Sequence, residues 1–190
     1  MPPVPRPPLS IDFGEPSPAV ARSLIGTVLL LHGVGGVIVE TEAYDETEAA
    51  SHAYRGRTIR NAPLYGPPGT VYVYRSHGIH WCLNIVCRET GHAAGVLLRA
   101  MQPTAGIPLM MQRRGSSNLL ALCSGPGKIG QALAISDALN GASVLLPPFG
   151  VIEPPLRPAV VSSTRIGISR SVARRWRFGL RNTRFVSRPF

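Results

Sequence analysis

The stretch TVLLLHGVGGVIVETEAY, residues 27–44, decides the fold. It holds two short apolar runs separated by glycines. Such runs, rich in Val, Leu and Ile and bounded by glycine, read as strands. The Gly-rich segment 33–36 reads as the turn between them, so residues 27–33 and 36–44 form an antiparallel pair. Side chains alternate along a strand, so Glu40 and Glu42 face one side at the strand's end, and Val39 and Thr41 face the other. A strand end that opens into a polar loop is a place where catalytic carboxylates are found.

The rest of the chain supplies partners for this pair. Residues 17–26 read as a short helix with Ser17 as N-cap and Pro18 at the first helical position. After a segment of turns and loop come three further strands, TVYVY (70–74), IHWCLNIVC (79–87) and GVLLRAMQP (95–103). AGIPLMMQRRG (105–115) and the segment after Ser124 in CSGPGKIGQALAI read as helices. ASVLLPP (142–148), PAVVSSTRIGIS (158–169) and LRNTRFVS (180–187) read as later strands. No repeat and no linker divides residues 17–190. Strands and helices without regular βαβ alternation give an α+β single domain, with a curved, mostly antiparallel sheet flanked by helices. Residues 1–16 read as a Pro-rich flexible arm.

The chain of 190 residues carries a formal net charge of +10, and a pI near 10.7. From Arg157 onward there are nine arginines and no acid. That asymmetry points to a polyanionic partner, and nucleic acid fits better than a membrane. No apolar run reaches the ~20 residues of a membrane span. Three cysteines, 82, 87 and 123, read as reduced thiols of a cytoplasmic protein, in bacterial cytosol or nucleoid. Against this basic background, five of the ten acids fall within residues 40–48. Either that cluster is a solvated turn, or one acid has work to do.

Several site patterns fail. CSGPGKIG is not a phosphate loop, because Leu122 stands where the first glycine belongs and Ile129 follows Lys128. Its glycine-rich helix start still suits a DNA phosphate. The histidines lack H-E-x-x-H spacing and Cys82 and Cys87 are too far apart for a zinc deaminase, so no metal and no cofactor is expected. Tyr44 and His52 follow Glu42 along the chain, and an acid beside an aromatic and an imidazole ring suits a pocket for a flat ring; Tyr72 and Tyr74 add two rings on one face of a later strand. A half-buried β face is the plainer alternative.

The segment 39–87, followed by GVLLRAMQP and LCSGPGKIGQALAI, resembles the methylpurine (3-methyladenine) DNA glycosylases of the mammalian alkyladenine type, in order over residues 20–186. V-E-T-E-A-Y, Y-V-Y, L-L-R-A and L-C-S-G-P carry the resemblance. It implies a monomer that acts on double-stranded DNA containing damaged purines, flips the purine nucleotide out and hydrolyses its N-glycosidic bond. By that resemblance Glu42 is the general base, and Arg99 and the main-chain oxygen of Ile166 help hold the attacking water. Tyr44 stacks on one face of the base and His52 and Tyr74 on the other, while Asn84 crowds the exocyclic amine of guanine. The hairpin at 70–87 protrudes and inserts into DNA. The family places a tyrosine wedge where this chain has His77, with Ile79 as a neighbouring apolar wedge. Arg57, Arg60 and Lys128 are expected at DNA phosphates. Pro2 is followed by Pro3 rather than an acid, and Lys128 is the one lysine, so the enzyme is expected to be monofunctional, without lyase activity. In the acid cluster, Glu40 reads as structural and Asp45, Glu46 and Glu48 as a solvated turn. Two other readings remain: a non-catalytic DNA-binding protein on the same fold, and an RNA-binding protein, for which no RRM or KH signature is present.

Overall fold

A computed structural model describes residues 9–190. Eight strands form one antiparallel sheet: β1 Val28–Leu31, β2 Val34–Asp45, β3 Val71–Ser76, β4 His80–Val86, β5 Ala94–Ala105, β6 Phe149–Ile152, β7 Val160–Ser163 and β8 Arg177–Leu180. Among the described residues three α-helices accompany them: α1 Ser17–Ser23, α2 Ile107–Arg114 and α3 Pro126–Ala132. The strand order is β3-β4-β5-β2-β1-β6, with β8 pairing β2 and β7. The α+β reading and the antiparallel sheet are borne out.

The long strand β2 is the axis. Its first part pairs with β1, at Val34–Val37, and its later part with β8, at Glu40–Glu42, while β5 runs along its other edge. Glu40 and Glu42 therefore lie inside the sheet and not at a strand end, because β2 continues to Asp45. The register with β5 slips on either side of Glu40, so that Arg99 stands between Leu98 and Ala100 without a paired residue opposite it. Bulges of this kind re-aim a side chain.

Only His32 and Gly33 make the turn between β1 and β2, with φ of 49° and 77°. Gly35 and Gly36 belong to the strand. A Cβ on Gly35 would lie 1.9 Å from the Leu29 carbonyl oxygen, and one on Gly36 would lie 2.0 Å from that of Gln102. These glycines allow close backbone approach, which from sequence looks like a four-residue turn.

Other expectations change. Pro16 occupies the cap of α1, Ser17 is already helical, and its buried hydroxyl has no partner. The segment 142–148 forms turns, with a single bridge from Ser143 to Thr70. The final strand is Arg177–Leu180 and not 180–187. Of the Pro-rich arm, residues 1–8 lie outside the described part. Over 9–16 the chain packs down, with Ile11 and Phe13 buried in the main core. No helix among the described residues is long and apolar enough to cross a membrane.

Candidate active site

Glu42 is fully buried in the middle of β2, and both its oxygens are engaged. Oε1 accepts from the main-chain N–H of Ile166 at 2.7 Å. Oε2 accepts from the Tyr44 hydroxyl at 2.8 Å and from Nη1 of Arg99 at 3.3 Å. Tyr44, Arg99 and Ile166 all line a cavity of about 460 Å³, with the carboxylate directly behind them. The Ile166 group that meets Glu42 is the N–H; the expectation concerned its carbonyl.

The cavity walls come from β3, β4 and the loop after β2, and include His52, Tyr72, Tyr74 and Asn84. Tyr72 and Tyr74, two apart on β3, stack with ring centroids 5.6 Å apart. His52 meets Tyr74 edge-on at 4.5 Å and shares a 3.1 Å hydrogen bond between Nδ1 and the Tyr72 hydroxyl. Asn84 donates its amide to the Tyr72 carbonyl at 3.1 Å, which fixes how it faces the cavity. The space is thus walled by flat rings, with a polar floor.

These groups are electrostatically set. Burial first, and the Glu42 charge second, push the Tyr44 hydroxyl far above the usual tyrosine range, so it stays a donor. Burial does the same to Tyr74, with help from Cys82. Loss of hydration, and then the Arg60 charge, lower His52, which keeps its ring neutral at pH 7 while one edge remains exposed at the rim.

Behind the floor lies a layer that the sequence reading missed. Arg165, with its side chain fully buried, makes a bidentate pair with Glu48 at 2.6 and 2.7 Å. Its guanidinium lies 4.6 Å from the centroid of the Tyr44 ring. Arg177 donates to Glu40 at 2.7 Å, and Arg99 also reaches Glu40, at 3.2 Å. Two of the C-terminal arginines therefore neutralise buried acids. The acid cluster is not a solvated turn either. Asp45 is buried, accepts from Thr47 and contacts His92 at 3.0 Å, and Glu48 is buried with Arg165. The available signal is general: few acids gathered beside an apolar run in an Arg-rich chain, with no mark of which arginines meet them.

The DNA-facing candidates are more scattered. His77 and Gly78 form the tip of the β3–β4 hairpin, with φ of 51° and 70°, and His77 borders the cavity mouth. Ile79 beside it is 67% exposed. Arg60 donates to the Arg75 carbonyl at 3.2 Å, Arg57 lies 5.6 Å from the Tyr65 ring centroid, and Lys128 Nζ contacts Ser124 Oγ at 3.0 Å. Among the described residues no group of three or more His, Cys, Asp and Glu is arranged to hold a metal ion.

The family model described as methylpurine-DNA glycosylase matches residues 11–184. The chain is 55% identical over 182 residues to a protein of Nitrosospira multiformis, covering 95% of this chain and 94% of that one. It is 54% identical over 171 residues to one of Rhodopseudomonas palustris strain BisB18, covering 90% and 86%. A protein of Agrobacterium fabrum is 50% identical over 171 residues, covering 90% and 87%. All three are named as inferred 3-methyladenine DNA glycosylases.

Proposed function

We infer the reaction from one premise: the chain belongs to the methylpurine-DNA glycosylase family. It is a DNA glycosylase, a hydrolase of N-glycosyl bonds whose substrate is damaged DNA. The finer reading is ours: it is a monofunctional enzyme for alkylated or deaminated purines, of the 3-methyladenine, 7-methylguanine, hypoxanthine and ethenoadenine class, and it acts as a monomer. The observation that carries this reading is the buried Glu42 carboxylate, held by three donors directly behind a ring-walled cavity.

The flipped purine enters between Tyr44 on one side and His52 and Tyr74 on the other. A cationic alkylated purine gains about 0.5–2 kcal/mol at each aromatic face. A neutral normal purine gains less and keeps a stronger glycosidic bond. Glu42 takes the proton of a water as its oxygen bonds to the sugar C1′. The C1′–N bond breaks and its electron pair leaves with the base. The same carboxylate stabilises the positive charge that develops on the sugar. Arg99 and the main chain at Ile166 orient carboxylate and water. Asn84, fixed by its bond to Tyr72, faces the base edge and disfavours an exocyclic amine there.

Flipping costs a few kcal/mol, and His77 with Ile79, at the exposed hairpin tip, fills the vacated stack. Arg57, Arg60 and Lys128 contact phosphates, with exposed arginines between Arg170 and Arg184 and not the buried Arg165 and Arg177 or Arg188, whose carbonyl holds Arg177. The test is to incubate duplexes carrying 3-methyladenine, 7-methylguanine, hypoxanthine or ethenoadenine with the folded protein and then cleave abasic sites with alkali. Strand breaks at a lesion support the reading; none at any lesion rejects it. Strand breaks without alkali reject the monofunctional part.

A further inference from the structure

The floor of the cavity is tied to the end of the chain. Glu40 is fully buried one strand repeat before Glu42, and Arg99 bridges the two carboxylates. The other partners of Glu40 come from β8 and from Ser187. The Ser187 N–H donates to Oε2 at 2.5 Å, and its hydroxyl donates to Oε1 at 2.8 Å. The same hydroxyl accepts from Nη2 of Arg99 at 3.4 Å. No other donor reaches Oε2 of Glu40 among the described residues.

The segment that presents Ser187 has a built seat. The Arg188 and Pro189 carbonyls accept from Arg177, which itself holds Glu40. The Phe190 ring lies 3.9 Å from the Arg177 guanidinium. A Cβ on Gly179 would stand 2.2 Å from that ring, so the glycine of β8 leaves the slot that Phe190 occupies. The family match ends at residue 184, before Ser187, Arg188, Pro189 and Phe190, while their partners Glu40, Arg99, Arg177 and Gly179 lie within it.

We propose that residues 187–190 act as a strap that positions the catalytic floor, with Ser187 as the positioning residue. The logic is geometric. Arg99 is shared between Glu40 and Glu42, and a guanidinium shared by two carboxylates is aimed correctly only if the outer one is fixed. Ser187 supplies two of the four hydrogen bonds that fix it. The strap touches neither the rings of the base pocket nor the hairpin, so it acts on the chemical step and not on DNA affinity. This inference rests on the function proposed above.

The experiment compares wild type with Ser187→Ala, Ser187→Thr and Gly179→Ala in the full chain. Single-turnover excision and Kd are measured on one lesion duplex cleaved by wild type. Ser187→Ala and Gly179→Ala are expected to slow excision on the order of tenfold, as small misplacements of reacting groups do. Their Kd stays at the wild-type value, and Ser187→Thr, which keeps both donors, restores the rate. Unchanged rates in Ser187→Ala and Gly179→Ala overturn the strap, and so do rate and affinity falling together. Failure of Ser187→Thr to restore the rate overturns the role of Ser187. If wild type cleaves no lesion, the proposed function falls and the strap falls with it; an active wild type with unaffected variants removes the strap alone.

Discussion

The Tyr44 hydroxyl donates a 2.8 Å hydrogen bond to Oε2 of Glu42, two residues earlier on the same strand. The ring proposed to stack on the base and the carboxylate proposed to activate water are thus one unit. Their alternation along β2 makes this possible, because both point to the cavity side. Burial and the neighbouring charge keep the phenol protonated far into the alkaline range. The phenol therefore remains a donor to Glu42 at alkaline assay pH.

Ring and hydroxyl are separable. In Tyr44→Phe the ring remains, so lesion-duplex affinity stays within about threefold, while excision slows by the loss of one charge-assisted bond, about 1.5–3 kcal/mol at most. In Tyr44→Ala the stack is lost, and affinity falls by about 1–3 kcal/mol. Binding titrations beside single-turnover excision check both outcomes. Equal affinity in the two variants excludes the stacking role.

Glu48 and Arg165 form a fully buried pair beneath Tyr44. Removing one partner strands a charge, so Glu48→Gln or Arg165→Met is expected to destabilise the fold by about 3–5 kcal/mol. At this chain length that corresponds to a Tm lowered by roughly 10 °C. The double variant recovers much of the loss, because no unpaired charge remains. Thermal unfolding of the four proteins measures the coupling; additive losses contradict it.

His52 gives a pH dependence with a defined sign. Its folded pKa is lowered, by lost hydration first and by Arg60 second. The ring is neutral at pH 7 and charges only below the ordinary value near 6.5. Its neutral form contributes stability above about pH 6.5, and that contribution is lost as the pH falls, because the unfolded chain binds the proton first. In the pocket, the added charge repels a cationic base. The ratio of 7-methylguanine to hypoxanthine excision therefore drops as the pH falls below about 6.5. In His52→Gln that ratio is flat; a wild-type ratio independent of pH contradicts the assignment.

The proposed wedge at the hairpin tip is an imidazole, where the resemblance implies a phenol. His77 sits at positive φ in a tight turn with Gly78. A tyrosine there offers more stacking area to the vacated site. His77→Tyr is expected to raise excision of well-stacked lesions severalfold, on the scale of part of a base–aromatic stack. Equal or lower activity indicates that the imidazole wedge is suited to its own task.

Sequence and structure agree most where chemistry is local. The β1–β2 pair and the three strands at 70–103 follow from alternation, and the set of Tyr44, His52 and Tyr74 follows from the resemblance carried by short motifs. What stayed hidden is long-range. Nothing near Glu48 announces Arg165, which lies 117 residues away, and nothing near Glu40 announces Ser187, 147 residues away. Gly35 and Gly36 misled because a glycine needed for strand approach looks the same as one needed for a turn. The segment 180–187 alternates weakly like a strand, but the strand ends at Leu180 and the chain then turns, which brings Ser187 onto Glu40.

The central claim, that Glu42 activates water behind the ring-walled cavity, is tested most directly by single-turnover excision with Glu42→Gln beside wild type on one lesion duplex. Glutamine keeps the shape and the N–H of Ile166 as a partner but removes the base. Excision is predicted to fall at least about a hundredfold while lesion-duplex Kd stays near the wild-type value. Excision at the wild-type rate by Glu42→Gln contradicts the account.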